Sequence, residues 1–277
     1  MSDILRVRIL GCGSSGGVPR LGGPDGAGDW GACDPTEPKN RRTRCSALFS
    51  RISAHNEAAP TRVLVDTSPD MRQPLLDARV DRLDAVLITH DHADQTHGLD
   101  DLRALALINR ARVPVYIDPE TAAEVPARFG YCFNQRPGSP YPAILERRMM
   151  PPAGAPFCVD GPAGAIPVTP FVQRHGGVDS LGFRCGDIAY SSDVVGLPEE
   201  SFAVLDGVKL WIVDALQYEP HGTHAHLALA LEWIARVRPE RAVLTNMHVH
   251  LDYETVRRTV PDGVEPAYDG MEIDVPI

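Results

Sequence analysis

A cluster of metal-ligating residue types follows one apolar segment and constrains the fold of this chain more than any other feature. Residues 89–98 read Thr-His-Asp-His-Ala-Asp-Gln-Thr-His-Gly, directly after the apolar run 83–88. A strand that ends here would deliver His90, His92 and Asp94 to one loop. Imidazole and carboxylate together suit zinc, manganese or iron rather than calcium. Three such groups behind a buried strand are costly without a bound partner, so the segment predicts a metal site.

Composition narrows the class of protein. The chain has 277 residues, of which 43% are hydrophobic, so residues 1–277 can form one large domain. The net charge of −10 argues against binding duplex nucleic acid through a general basic surface. No apolar run approaches the length of a membrane span, and the scattered cysteines form no CxxC pair. We therefore expect a cytoplasmic protein with free thiols and no membrane partner.

Strand-like and helix-like segments alternate along the whole chain. Runs rich in β-branched residues predict strands at about 4–10, 46–52, 62–66, 83–89, 113–117, 166–172, 181–185, 187–192, 208–214 and 241–246. Helical patterns lie at 98–110, 227–237 and 252–259, and Gly- and Pro-rich loops at 20–40, 131–143 and 150–165. Gly186-Asp187 between two strand-like runs indicates a hairpin, hence mixed sheets. This alternation predicts an α/β protein with helices covering its sheets.

Other strand ends also carry ligand types. His175 follows one apolar strand, Asp193 ends another, and Asn246 and His248 follow a third. Ligands and catalytic groups of sheet proteins gather at such ends. A lone histidine near a strand end is more often a surface or hydrogen-bonded residue, and this interpretation holds for His55, His221 and His250 taken singly. By the same logic Asp66 could be only a turn former.

The Gly-rich segment 11–19 follows the first predicted strand. Backbone N–H groups of such a loop can approach a phosphate closely, which makes Gly13, Ser14 and Ser15 candidate phosphate-binding residues. No Gly-Lys-Ser/Thr follows, so the segment is not a Walker loop. Arg20 or Arg174 could bind further phosphate oxygens, or could equally be solvated surface residues.

Together these motifs resemble the metallo-β-lactamase superfamily. Residues 89–94 are similar to its first metal motif, and His175, Asp193 and the 246–248 strand end follow in the order of its later metal motifs. The segments 11–19, 41–46 and 268–274 further resemble the phosphodiesterase branch, specifically the phosphoribosyl 1,2-cyclic phosphate phosphodiesterases. The resemblance covers nearly the whole chain. It implies an αββα sandwich of two mixed β-sheets flanked by helices.

The resemblance also implies roles for individual residues around two divalent ions, Zn²⁺ or Mn²⁺. His90, His92 and His175 are expected to bind the first ion, Asp193 to bridge both ions, and Asp94 to bind the second. His224, in Gly-Thr-His-Ala-His, lies where the family has its catalytic histidine, and Asp94 is expected to be catalytic as well.

The chain departs from the family pattern at three places. Gln95 and Asn246 stand where the family has histidines, so a weaker second metal site is expected. His97 is a possible substitute for the histidine that Gln95 replaces. At the later position His248 is favoured over Asn246 as the surviving ligand, because residues two apart in an extended chain point to the same side. The phosphodiesterases of this branch hold a structural zinc with a cluster of cysteines. Of that cluster only Cys33 remains in this chain, so we expect no cysteine-bound zinc.

The implied function is hydrolysis of a small phosphodiester, a cyclic phosphate or a nucleotide-like molecule, by a metal-bridged hydroxide. Three alternatives stay open: a thioester, lactone or lactam hydrolase of the same fold, a tRNA 3′-processing endonuclease, and a nucleotide-binding metalloprotein with little turnover. The acidic composition weighs against the endonuclease, and Gln95 and Asn246 motivate the last alternative. The natural substrate, the choice between zinc and manganese, and the oligomeric state, a homodimer included, are not determined by the sequence.

Overall fold

Two β-sheets packed face to face make up the structure, a computed structural model that describes residues 2–277. In chain order the strands are β1 (Ile4–Gly11), β2 (Ser46–Ser53), β3 (Asn56–Val65), β4 (Ala85–Leu87), β5 (Val113–Ile117), β6 (Leu145–Met149), β7 (Phe157–Val159), β8 (Ile166–His175), β9 (Val178–Cys185), β10 (Ile188–Ser191), β11 (Leu210–Asp214), β12 (Arg241–Thr245), β13 (Val264–Pro266) and β14 (Glu272–Pro276). The α-helices are α1 (Arg72–Asp77), α2 (Ala93–Thr96), α3 (Arg103–Asn109), α4 (Thr121–Phe133), α5 (Glu199–Leu205), α6 (Leu227–Val237) and α7 (Tyr253–Thr259), and short 3₁₀ helices span Pro38–Asn40 and Leu99–Leu102.

Both sheets have seven strands and mixed topology. The first has the order β14-β1-β2-β3-β4-β5-β6, and the second β13-β12-β11-β10-β9-β8-β7. Each sheet combines antiparallel hairpins with parallel strands: β1 to β3 are antiparallel and β3 to β6 parallel, while β7 to β10 are antiparallel and β10 to β13 parallel. The predicted sandwich of two mixed sheets flanked by helices is confirmed.

The alternation of side chains along the strands divides the core into layers. Val63 and Val65 of β3 belong to the large cluster between the two sheets, together with Phe183 and Trp211 of the second sheet. Leu64, which points the opposite way, belongs to a second cluster. That cluster packs the outer face of the first sheet against helical residues such as Leu102 and Val125. Because both faces of β3 are buried at its end, the strand finishes in the apolar run 63–65.

Most predicted elements are confirmed, and the missed ones are edge strands and short or irregular helices. The helix predicted at 227–237 is α6, and 98–110 is a 3₁₀ turn followed by α3. The edge strands β6 and β14 were missed because charged residues alternate or cluster within them. The helix α4 extends to Phe133, into the loop predicted at 131–143, and it is interrupted by Pro126 and a non-helical residue at Phe129. No helix within residues 2–277 is long and apolar enough to cross a membrane.

The tail after β13 fastens the Gly-rich loop to the segment that precedes β2. Asp269 accepts hydrogen bonds from the Cys12 amide (3.1 Å), the Thr43 amide (2.7 Å) and the Thr43 hydroxyl (2.8 Å). Gly11 is required here because a Cβ atom at that position would lie 2.1 Å from the carbonyl oxygen of Arg44. The three segments that resemble the phosphodiesterase branch are therefore one structural unit, in which the Asp269 carboxylate contacts the other two segments.

Replacing this carboxylate should destabilise the fold. We expect Asp269→Ala to lower the free energy of unfolding by about 2–4 kcal/mol, because it leaves the Cys12 and Thr43 donors without their acceptor. Asp274→Ala in the same tail is the matched control, since its ion pair with Arg6 is exposed and should contribute less than about 1 kcal/mol. Urea unfolding of both variants measures the difference, and equal losses would contradict the role of Asp269.

Candidate metal centre

Three histidines from two sheets converge at one edge of the sandwich. His90 and His92 lie in the loop between β4 and α2, and His175 is the last residue of β8. Nε2 of His90 is 2.8 Å from Nδ1 of His92, and the ring centroid of His175 lies 5.1 and 5.2 Å from those of His90 and His92. One ligand atom from each lies within 4.8 Å of the others. The three histidines expected to bind the first ion are thus brought together.

Asp193 and His224 extend this group. With His175 they form a second set of potential ligands, again with atoms within 4.8 Å of one another. Asp193 follows β10 and has a left-handed backbone with φ of 53°. Three imidazoles and a carboxylate fit a divalent ion such as zinc, which accepts nitrogen and oxygen ligands in a tetrahedral arrangement.

Hydrogen bonds orient two of the imidazoles. Nδ1 of His175 lies 2.7 Å from the Thr223 carbonyl oxygen, so that nitrogen donates and Nε2 is left as the ligand atom. Nδ1 of His90 lies 3.0 Å from the hydroxyl of Thr89. Burial, followed by the neighbouring imidazoles, holds the pKa of His90 well below its usual value, and burial lowers the pKa of His175 to about 4. Both rings are therefore in the neutral form that binds metals.

Asp66 anchors the loop that carries His90 and His92. Its carboxylate accepts the Thr89 amide (2.9 Å) and the Thr89 hydroxyl (3.0 Å), and the same hydroxyl contacts His90. Asp66 has a φ of 61°, so it is a turn residue as the sequence suggested, but it is also fully buried. Burial raises its pKa well above the usual value, partly offset by the Thr89 amide. Asp66 thus positions His90 through Thr89.

Asp214 is a site residue that sequence reasoning missed. It ends β11, is fully buried, and its Oδ2 lies 3.0 Å from Nδ1 of His224. Burial alone would lower the pKa of His224, but the hydrogen bond and charge of Asp214 outweigh it and raise that pKa to about 9. Burial also raises the pKa of Asp193 to about 7. The available signal was the acid that ends the apolar run Leu-Trp-Ile-Val-Asp, the same signal that identified Asp193.

Gln95 and Asn246 lie against these acids and His224. Gln95 is fully buried, and its Nε2 donates to Oδ2 of Asp193 at 3.1 Å. Nδ2 of Asn246 lies 3.1 Å from Nδ1 of His224. Both positions predicted to face a second metal ion are therefore at the site, with amide nitrogens toward its polar groups.

The structure corrects the placement of His248 and His97. The expectation for His248 assumed an extended chain after β12, but Asn246 has a φ of 60° and turns the backbone. Nε2 of His248 consequently lies 2.8 Å from Arg20, and its ring packs on His250. His97 is exposed, with its ring against Phe129.

Asp94 is half-buried, and its negative charge acts on Asp193 and His224. Within residues 2–277, the groups of convergent ligand atoms do not include His248, His97 or Asp94.

The Gly-rich loop is only partly available for a phosphate. The Gly13 amide donates to the Thr43 carbonyl (2.7 Å), which corrects the prediction that this N–H binds an anion. Ser14 is buried and Ser15 exposed, and they remain the candidates. Of the two arginines left open, Arg174 pairs with Asp179 on the surface.

Comparisons with known proteins agree with this geometry. A sequence model of the β-lactamase superfamily domain matches residues 61–247, which include His90, His92, His175, Asp193 and His224. The chain belongs to this superfamily. The resemblance recognised from the metal motifs is thereby confirmed.

Individual relatives cover the whole chain. An octanoyltransferase of Porphyromonas gingivalis (strain ATCC BAA-308 / W83) is 30% identical over 272 residues, 97% of this chain but 51% of that protein, so the chain spans about half the length of this relative. The crystal structure of a diphosphatase from the PhnP family is 28% identical with a TM-score of 0.83, covering 98% of this chain and 97% of that one.

Two further solved structures show the shared fold alone. Zn²⁺-bound PqqB from Methylobacterium extorquens is 18% identical with a TM-score of 0.72, and it covers 98% of this chain and 100% of that one. The short form of human tRNase Z is also 18% identical, with a TM-score of 0.64 and the same coverage.

Removing one imidazole should abolish metal retention. We expect His92→Ala to weaken zinc binding by more than about 100-fold, since even the hydrogen-bond partners of metal ligands contribute about 10- to 100-fold. His55→Ala, which removes an exposed histidine in the turn between β2 and β3, should bind zinc like the wild type. Zinc content after dialysis against a weak chelator measures both, and a His92→Ala protein with wild-type zinc content would contradict the assignment.

Proposed function

We propose that this protein is a metal-dependent hydrolase of a small phosphodiester, a cyclic phosphate or a nucleotide-like molecule. The observation that carries the proposal is a pair of convergent ligand groups that share His175. His90 and His92 complete one group, and Asp193 and His224 complete the other, beside Asp214. The similarity to a PhnP-family diphosphatase over nearly the full length of both chains supports chemistry at phosphorus.

The proposed metal ligands and the groups that position them have different roles. A divalent ion held by the three histidines and Asp193 would polarise a phosphoryl oxygen and make water a nucleophile at neutral pH. Asp66, through Thr89, and the Thr223 carbonyl hold two of these rings in position. His92 is exposed, so the ligand group opens to solvent and to a substrate.

His224 is suited to serve the leaving group. Its Nδ1 faces Asp214, which leaves Nε2 for a substrate oxygen. Because Asp214 favours the protonated imidazole, His224 can donate a proton to the departing alkoxide. Oδ1 of Asp193 lies 3.9 Å from Nδ1 of His224 and adds to the negative charge around the imidazole ring.

A small substrate fits the charge of the chain better than a polynucleotide does. The net charge of −10 disfavours a long anionic partner, whereas one phosphate needs only a few local donors. Ser14, Ser15 and Arg20 offer such donors in and after the Gly-rich loop. The likeness to tRNase Z concerns the fold and adds no support for a tRNA substrate.

Thioester or ester hydrolysis is the second candidate. The relative named octanoyltransferase favours it, since that name denotes chemistry at an acyl group. The match covers 51% of that protein, so its name can refer to chemistry in the part outside the match.

A direct comparison of substrates tests the proposal. Metal-stripped protein titrated with Mn²⁺ or Zn²⁺ should hydrolyse an aryl phosphodiester at a rate that rises and saturates with metal, while an aryl thioester should be a poor substrate. A metal-dependent rate on the thioester alone would favour the second candidate. No turnover of either at any metal level would contradict the proposal and favour a binding protein.

The proton-donor role of His224 predicts a dependence on the leaving group. We expect His224→Ala to keep its metal and to lose about 10²- to 10⁴-fold in rate on an alkyl phosphodiester, the range typical of general acids. The loss should be much smaller on a nitrophenyl ester, whose leaving group needs little proton donation. Equal losses on both substrates would argue against the role.

A further inference from the structure

The amide side chains at the second metal position present hydrogen-bond donors where the superfamily pattern has metal-binding nitrogens. Gln95 is fully buried and directs its Nε2 at Oδ2 of Asp193, 3.1 Å away. Its Oε1 is buried with no hydrogen-bond partner among residues 2–277. The carboxylate therefore determines the orientation of the amide, since the opposite orientation would place two oxygens face to face.

The amide of Asn246 lies against the Asp214–His224 pair. The Cys45 thiol lies 3.6 Å from Oδ1 of Asn246, and Nδ2 lies 3.1 Å from Nδ1 of His224, which in turn contacts Asp214. The left-handed backbone of Asn246 suits asparagine, which tolerates this conformation better than most residues. The N–H groups of this amide are thus turned toward the Asp214–His224 pair.

A second divalent ion does not fit this arrangement. An amide NH₂ group has no lone pair to give to a metal, and its N–H dipoles repel a cation. The substitutes that the sequence offered do not replace the lost histidines, because His97 packs on Phe129 and His248 contacts Arg20. Of the ligands expected for the second ion, only Asp94 and the shared Asp193 remain.

We propose that this protein holds one divalent ion, bound by His90, His92, His175 and Asp193, and that the amides of Gln95 and Asn246 replace the second ion. Donation from Gln95 to Oδ2 stabilises the negative charge of Asp193, which a second cation would otherwise do. The inference rests on the metal dependence of the proposed function but not on its phosphodiester substrate.

The number of bound ions tests this inference without any substrate. Full-length protein is loaded with excess Zn²⁺, desalted, and analysed for zinc per chain by inductively coupled plasma mass spectrometry. We expect one equivalent for the wild type and two for the Gln95→His/Asn246→His variant, which restores two imidazoles. Gln95→Met/Asn246→His is the matched control, since it removes the Gln95 donor but restores one ligand fewer, and it should bind less zinc than the double histidine variant.

Two outcomes would overturn the proposal: two equivalents in the wild type, or one equivalent in a folded Gln95→His/Asn246→His variant. Circular dichroism establishes whether that variant folds. If it does not, electron paramagnetic resonance of the Mn²⁺-loaded wild type decides, because a single ion gives an isolated spectrum and a pair gives an exchange-coupled one. A wild type that binds one ion but hydrolyses no phosphodiester would contradict the proposed function and leave this inference standing.

Discussion

Buried negative charge is the constraint on which the site depends. Asp66, Asp193 and Asp214 are almost completely inaccessible to solvent and lie at the same edge of the sandwich. Within residues 2–277, no lysine or arginine lies within ion-pair distance of these three carboxylates, and His224 is the one potentially cationic side chain that does. An uncompensated buried carboxylate is destabilising by several kcal/mol. The remaining compensation comes from polar N–H and O–H groups and, in our account, from a metal ion.

Different groups compensate the buried charge of each carboxylate, and this difference indicates a different role for each. Asp66 receives the Thr89 amide and hydroxyl, so it is satisfied within the protein and acts as an anchor. Asp214 receives the Val194 amide and His224, which makes it the partner of the proposed proton donor. Asp193 accepts the Gln95 side chain at Oδ2, while its Oδ1 lies 3.9 Å from His224 and is the oxygen we assign to a metal.

The backbone brings these side chains together at the ends of strands. Asp66, Asp193 and Asn246 all follow buried strands and all have left-handed φ values near 60°. This conformation is unfavourable for most residues but is tolerated by Asp and Asn. The turns direct side chains from both sheets toward the same edge of the sandwich, next to the core between the sheets. The left-handed residues at the strand ends thus help to build the site.

The sequence predicted the parts of the site that depend on residues close together in the chain, and it missed those that depend on distant residues or on a turn. His90 and His92 were predictable because two residues of one loop carry the information. His248 was misplaced because a single left-handed residue, Asn246, reverses the alternation on which the inference relied. Asp214 was missed because its role exists only through His224, ten residues away. The edge strands β6 and β14 were missed because their exposed positions carry charge rather than an apolar pattern.

Anomalous diffraction from crystals of the zinc-loaded protein, recorded at the zinc absorption edge, would locate each bound ion. We expect one strong peak within bonding distance of His90, His92, His175 and Asp193, with the Gln95 amide still against Asp193. Zinc bound elsewhere, with these four side chains unligated, would contradict the metal centre described above. A second peak between Asp94 and Asp193 would contradict the replacement of the second ion by amides.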